Sequence, residues 1–181
     1  MTTSTDTRAA LASYAALFSY PRAHLAVAAR CLRGIAGARA AASLDHFGAW
    51  LAEATPEARE EEYTAAFDLS PTCPPYVGQH LVGDGPPRGA FLARLAGVYE
   101  ANGFVPEGEL ADHVAVVLQF LADAEDGPDR EALLADGLVP ALEKMAASFA
   151  ERESPYRHLV ESLGAFASAL AGVSKLEGVS A

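Results

Sequence analysis

Apolar residues recur at helical spacing along almost the whole chain. Leu11, Tyr14 and Phe18 lie three and four residues apart and predict a first helix ending at Tyr20-Pro21, since proline disfavours helix in the residue before it. A second helix is predicted from His24 to Ile35 and a third from Leu44 to Ala54 around Trp50. Thr55-Pro56-Glu57 reads as an N-cap, a first-turn proline and an acidic first turn. The helix it opens puts Tyr63 and Phe67 four residues apart on one face. Phe91, Leu92, Leu95, Val98 and Tyr99 mark another, closed at Asn102-Gly103. Glu109 to Asp123 is apolar almost all round, which predicts a helix in the middle of a domain. Its polar stripe is Asp112, Gln119 and Asp123. Leu138, Leu142, Met145 and Phe149 follow, with Pro140 starting or kinking their helix. Ser154-Pro155 then launches Leu159, Val160, Leu163, Phe166 and Leu170.

One stretch breaks the pattern. Residues 69–87, LSPTCPPYVGQHLVGDGPP, hold five of the eleven prolines and three glycines. A connection that long without secondary structure is uncommon in a compact domain and is usually functional. It carries Cys73, Tyr76, Val77, His80 and Leu81, too apolar a set for a plain linker. The expectation is an all-α fold: one helical domain over 1–181, with seven to nine helices and a long central loop at 69–87. Residues 1–7 and 172–181 are expected to fray.

Composition narrows the function. Half of the 181 residues are hydrophobic, enough for a core. The net charge of −11 argues against nucleic acid and anionic membrane surfaces, which need Lys/Arg patches. The acids cluster: nine against one base from Glu107 to Asp136, and six against one from Glu53 to Asp68. Such a field suits a cationic partner. No secretory signal is expected in the polar N-terminus and no apolar run spans a bilayer, so the expected compartment is the cytoplasm.

Catalytic chemistry is sparse. The histidines at 24, 46, 80, 113 and 158 share no metal-ligand spacing, and two cysteines 42 residues apart make no metal site, so neither metal nor cofactor is expected. Cys73 stands before two prolines with no adjacent base to activate it, and reads as a small buried residue. Gly83-Asp84-Gly85-Pro86-Pro87-Arg88-Gly89 lacks a preceding strand and a Walker lysine, and its prolines remove amide donors. A small hydrolase or nucleotide-dependent enzyme using Asp112/His113 is the alternative, and no second catalytic element lies near that pair. More plainly, Asp112 compensates a helix dipole, His113 caps or packs, and Tyr63 and Phe67 belong to the core.

Several segments occur together in a familiar order: Leu17-Phe18-Ser19-Tyr20-Pro21, Tyr63-Thr64-Ala65-Ala66-Phe67-Asp68, and Arg88-Gly89 leading to Tyr99-Glu100-Ala101-Asn102-Gly103-Phe104. Gly108-Glu109-Leu110-Ala111-Asp112-His113 running into Val117-Leu118-Gln119-Phe120-Leu121-Ala122 comes next, then Glu151-Arg152-Glu153-Ser154-Pro155-Tyr156. In this the chain resembles the NarJ type of respiratory nitrate reductase assembly chaperone, within the wider TorD-like family. The resemblance implies an all-helical chaperone that binds the apo catalytic subunit of a molybdopterin enzyme at its N-terminal segment and assists cofactor insertion. Two departures bear on the client. The chain stops soon after its last helix, and Cys73-Pro74-Pro75-Tyr76 is similar to chaperones of related molybdenum enzymes. The client-binding residues expected are Tyr63, Phe67, Tyr76, His80, Asp112, His113 and Gln119, in a monomer or weak dimer. On this reading Asp112→Asn keeps the fold and weakens client binding by roughly 1.5–3 kcal/mol.

Overall fold

The computed structural model describes residues 4–21 and 25–172. His24, most of the expected frayed ends and the start of the second predicted helix lie outside the described residues. The helices are α1 (Thr5–Leu17), α2 (Leu25–Arg33), α3 (Gly37–Glu53), α4 (Pro56–Phe67), α5 (Val77–Val82), α6 (Pro86–Ala101) and α7 (Val114–Asp123). Then come α8 (Pro128–Ala132), a π-helical segment (Leu133–Leu138), α9 (Val139–Ser148) and α10 (Pro155–Leu170). Residues 128–148 run on without a break, so the described chain forms nine continuous helical bodies. No strand occurs among the described residues, and one isolated antiparallel bridge joins Tyr76 to His113.

Capping chemistry sets several boundaries. The Ser4 and Thr55 hydroxyls accept from the amides of Thr7 and Ala58, at 3.1 and 3.2 Å. Pro56, Pro86, Pro128 and Pro155 each open a helix, where a missing N–H costs no bond. Pro140 falls in the first turn of α9, as expected, although the helical body runs on through it from the preceding segment. It sits just past the π segment, in which Val139 N–H bonds to the carbonyl of Leu134, five residues back. That wider turn carries the chain past a residue with no donor.

α7 is the central helix, buried on every side except Gln119 and Asp123. It packs on α1, and α3 packs on α10. The two pairs are tied by a buried chain in which Tyr14 of α1 donates to Ser162 Oγ of α10 at 2.7 Å. Ser162 in turn donates to the Ala40 carbonyl of α3 at 2.8 Å. Arg8 and Arg130 donate to the carbonyls of Ala122 and Leu121 at 2.6 and 2.9 Å, satisfying the C-terminal end of α7 inside the protein. Tyr63 and Phe67 face inward among Phe18, Phe149 and Tyr156.

Two elements differ from expectation. The segment 69–87 is not one structureless loop: α5 occupies its middle and α6 begins at Pro86. Pro74 and Pro75 precede α5, and Pro86 and Pro87 fill the first turn of α6, so four of the five prolines flank or open helices. Gly83 and Gly85, at φ of 73° and 98°, make the reversal between the two. The central helix starts at Val114, not Glu109, because the backbone of Asp112 and Val114 is engaged elsewhere.

Candidate functional site

The segment before α5 and the segment before α7 clasp each other. Val77 N–H donates to the Asp112 carbonyl and Val114 N–H to the Pro75 carbonyl, each at 2.8 Å. Those two bonds bring Tyr76 beside His113, their rings edge to face with centroids 5.5 Å apart. Pairing across the chain removes Asp112 from the helix, so it does not share a polar stripe with Gln119 and Asp123.

Asp112 is fully buried. Arg88, from the first turn of α6, grips its carboxylate with Nε to Oδ2 at 2.9 Å and NH2 to Oδ1 at 3.1 Å. This fork-on-fork geometry satisfies both oxygens with a charge-assisted pair. The third arm of the guanidinium reaches Asp84 at 3.3 Å, and its carbon lies 4.7 Å from the centre of the Tyr76 ring. The Asp112 partnership raises the Arg88 pKa further. α5 lies so close that a Cβ on Gly78 would stand 2.8 Å from Asp112 Oδ2 and 2.7 Å from Phe91 Cδ1. Only glycine fits there.

His113 is the N-cap of α7, its Nδ1 accepting from Ala115 N–H at 3.1 Å. Burial lowers its pKa to about 4 despite the neighbouring Asp112, so the ring is neutral at pH 7. His80 is also pushed down, chiefly by burial, and its Nε2 lies 2.7 Å from the Pro74 carbonyl. Lys144 of α9 donates to the His80 carbonyl at 2.8 Å and closes the C-terminal end of α5. Cys73 is buried and its thiol is pushed up to about 12, the inert small residue that its context suggested.

The seven residues read from the sequence therefore separate. Tyr76, Asp112 and His113 meet in the clasp, and His80 stands beside it on α5, its ring against the Pro74 carbonyl. Tyr63 and Phe67 are core aromatics with almost no surface to offer a partner, the plainer of their two readings. Gln119 stands exposed on α7 and shares no hydrogen bond with the others. Arg88, Gly78 and Lys144 were not among the site residues. Arg88 had a signal: it is one of few bases between two acidic runs, which marks a charge with a partner. The alternative of acid–base catalysis by Asp112 and His113 fails on geometry. Asp112 is saturated by Arg88, the His113 Nδ1 lone pair is taken by an amide, and both side chains are buried.

The model of the nitrate reductase delta subunit family matches residues 36–161, which include the whole clasp. Among solved structures, the chain is similar to a candidate redox enzyme maturation protein from Archaeoglobus fulgidus. The two are 26% identical with a TM-score of 0.64, over 88% of this chain and 92% of that one. No curated protein matches the sequence. With the family model covering well over half of the sequence, the chain belongs to the nitrate reductase delta subunit family.

Proposed function

We propose that the protein binds the apo catalytic subunit of a molybdopterin oxidoreductase, respiratory nitrate reductase or a near relative, and holds it competent for cofactor insertion. It is a maturation chaperone for a redox enzyme and not a catalyst. Membership of the delta subunit family over residues 36–161 carries this reading. The site supports it, since Asp112 and His113 are buried and already partnered, which suits a scaffold and not a reaction centre. The target segment is the N-terminus of the client, in the cytoplasm, and the chaperone acts as a monomer or weak dimer. Among the described residues no helix is long and apolar enough to cross a membrane. Half-exposed Tyr76 and His80 and exposed Gln119 touch the client, while Tyr63, Phe67, Asp112 and His113 hold the surface in shape from beneath.

Affinity capture from native lysate, followed by mass spectrometry, tests the proposal. The expected product is a molybdopterin oxidoreductase subunit without its cofactor, lost when its N-terminal segment is deleted. Capture of the cofactor-loaded enzyme alone, or of no such subunit, overturns it.

A further inference from the structure

α6 packs chiefly on α5, and much of its apolar face stays only half covered. Between it and the helix of residues 128–148 runs a groove of about 220 Å³, floored by Phe91, Leu95, Val98 and Leu133. Its volume is below the roughly 300–1,000 Å³ of small-molecule sites, and suits the side chains of a macromolecular partner. The π segment shapes it: Gly137 lines the groove, and a Cβ there would press on Leu133 at 3.1 Å.

The rim is charged. Asp129 and Asp136 stand on one side, seven residues apart and thus roughly 10 Å along the helix. Neither forms an ion pair among the described residues. Arg130, the one base of the Glu107–Asp136 run, is buried and paired with Asp126 at 3.3 Å, so it leaves the surface acids uncompensated. Among the described residues, Arg94 is the single cation on the opposite rim.

We propose that this groove is the docking site for an amphipathic helix of a partner protein, with basic residues flanking its apolar face. Apolar anchors enter between Phe91, Val98 and Leu133, while bases a few turns apart meet Asp129 and Asp136. The proposal rests on the chaperone reading and deepens it, naming the surface and the chemistry of the segment it takes. The groove also adjoins the clasp, because Phe91 packs against Gly78 on the other side.

A short leucine–lysine amphipathic helical peptide is the probe, with its leucine–glutamate counterpart as control, measured by calorimetry at two salt concentrations. Asp136→Lys should weaken binding roughly three- to tenfold and Arg94→Glu should tighten it. Glu151→Lys, a comparable charge change in the exposed turn before α10 and outside both acidic runs, should leave it unchanged. Hydrogen exchange should show protection at 91–98 and 129–137. Equal losses from Asp136→Lys and Glu151→Lys, protection elsewhere, or no binding of the cationic peptide overturns the groove. The two proposals fail separately: Asp136→Lys and Val98→Glu proteins that still capture the molybdoenzyme subunit undiminished refute the groove alone, whereas absence of capture by the wild type refutes the chaperone reading.

Discussion

Asp112→Asn removes a charge and keeps the shape, so it isolates what the clasp contributes. The sequence alone predicts a variant that folds normally and loses client affinity. The structure gives a different expectation. Asp112 is fully buried and Arg88 is five-sixths covered, with a side-chain exposure of 16%, so the variant strands a guanidinium in a poorly solvated place. Breaking a buried pair from one side costs about 3–5 kcal/mol. Asp84 still balances part of the charge at 3.3 Å, and the carbonyl of the introduced asparagine would still accept one hydrogen bond, which lowers the expectation to about 2–3 kcal/mol. For a chain of this size that is a fall in Tm of about 5–10 °C. Arg88→Met should restore much of the loss in the double variant, because the stranded charge goes with it. Urea denaturation of the four proteins in the cycle measures the coupling, expected at about 1.5 kcal/mol or more. Additivity within about 0.5 kcal/mol would refute the argument, as would a single variant as stable as the wild type.

Three other outcomes follow from the same geometry. Gly78→Ala should destabilise by about 1–3 kcal/mol by urea denaturation, although alanine is the better helix former, because its methyl would stand 2.8 Å from Asp112 Oδ2 and 2.7 Å from Phe91 Cδ1. His113, with a folded pKa of about 4 against an ordinary 6.5, is protonated more readily in the unfolded chain. Its contribution is therefore complete above pH 6.5 and lost as pH falls towards 4, by at most about 3 kcal/mol. His113→Asn, which keeps an N-cap acceptor, should flatten that part of the stability–pH profile, and an unchanged slope would contradict it. Exposed Cys31 should react promptly with a thiol reagent, while Cys73 reacts only on unfolding; two equally fast thiols would place Cys73 wrongly.

The helical class, the long α10 and the central burial of α7 were legible because each rests on a repeating apolar pattern and local caps. The Leu11, Tyr14 and Phe18 stripe is buried as its spacing requires. What was misread depends on pairing between distant segments. Prolines at 74, 75, 86 and 87 are loop signals in sequence, yet the first two stand just before α5 and the last two in the first turn of α6, where a missing N–H costs no helical bond. Asp112 and Gln119 looked like one polar stripe because the helix period was extended back past a bridge to Pro75 that periodicity cannot show. His113, by contrast, caps its helix as the plainer reading had it.

The bridge between Pro75 and Val114 gives the conspicuous polar residues of this family segment a structural task. An aspartate beside a histidine suggests recognition or chemistry when read as sequence. In the fold, both are spent on holding α5, α6 and the start of α7 together, one by an ion pair and one by a cap. A further surface free to meet a partner lies one layer out, where Asp129 and Asp136 form no ion pair among the described residues and Phe91 and Val98 are half covered. Because Phe91 touches the clasp on its inner side, weakening the Asp112–Arg88 pair should loosen α6 and blur the groove. A client-affinity loss in Asp112→Asn would thus come with lower stability and be recovered by adding Arg88→Met, which no direct contact between Asp112 and a client would allow. Affinity lost in the single variant and still lost in the restabilised double variant would put Asp112 back in contact with the client.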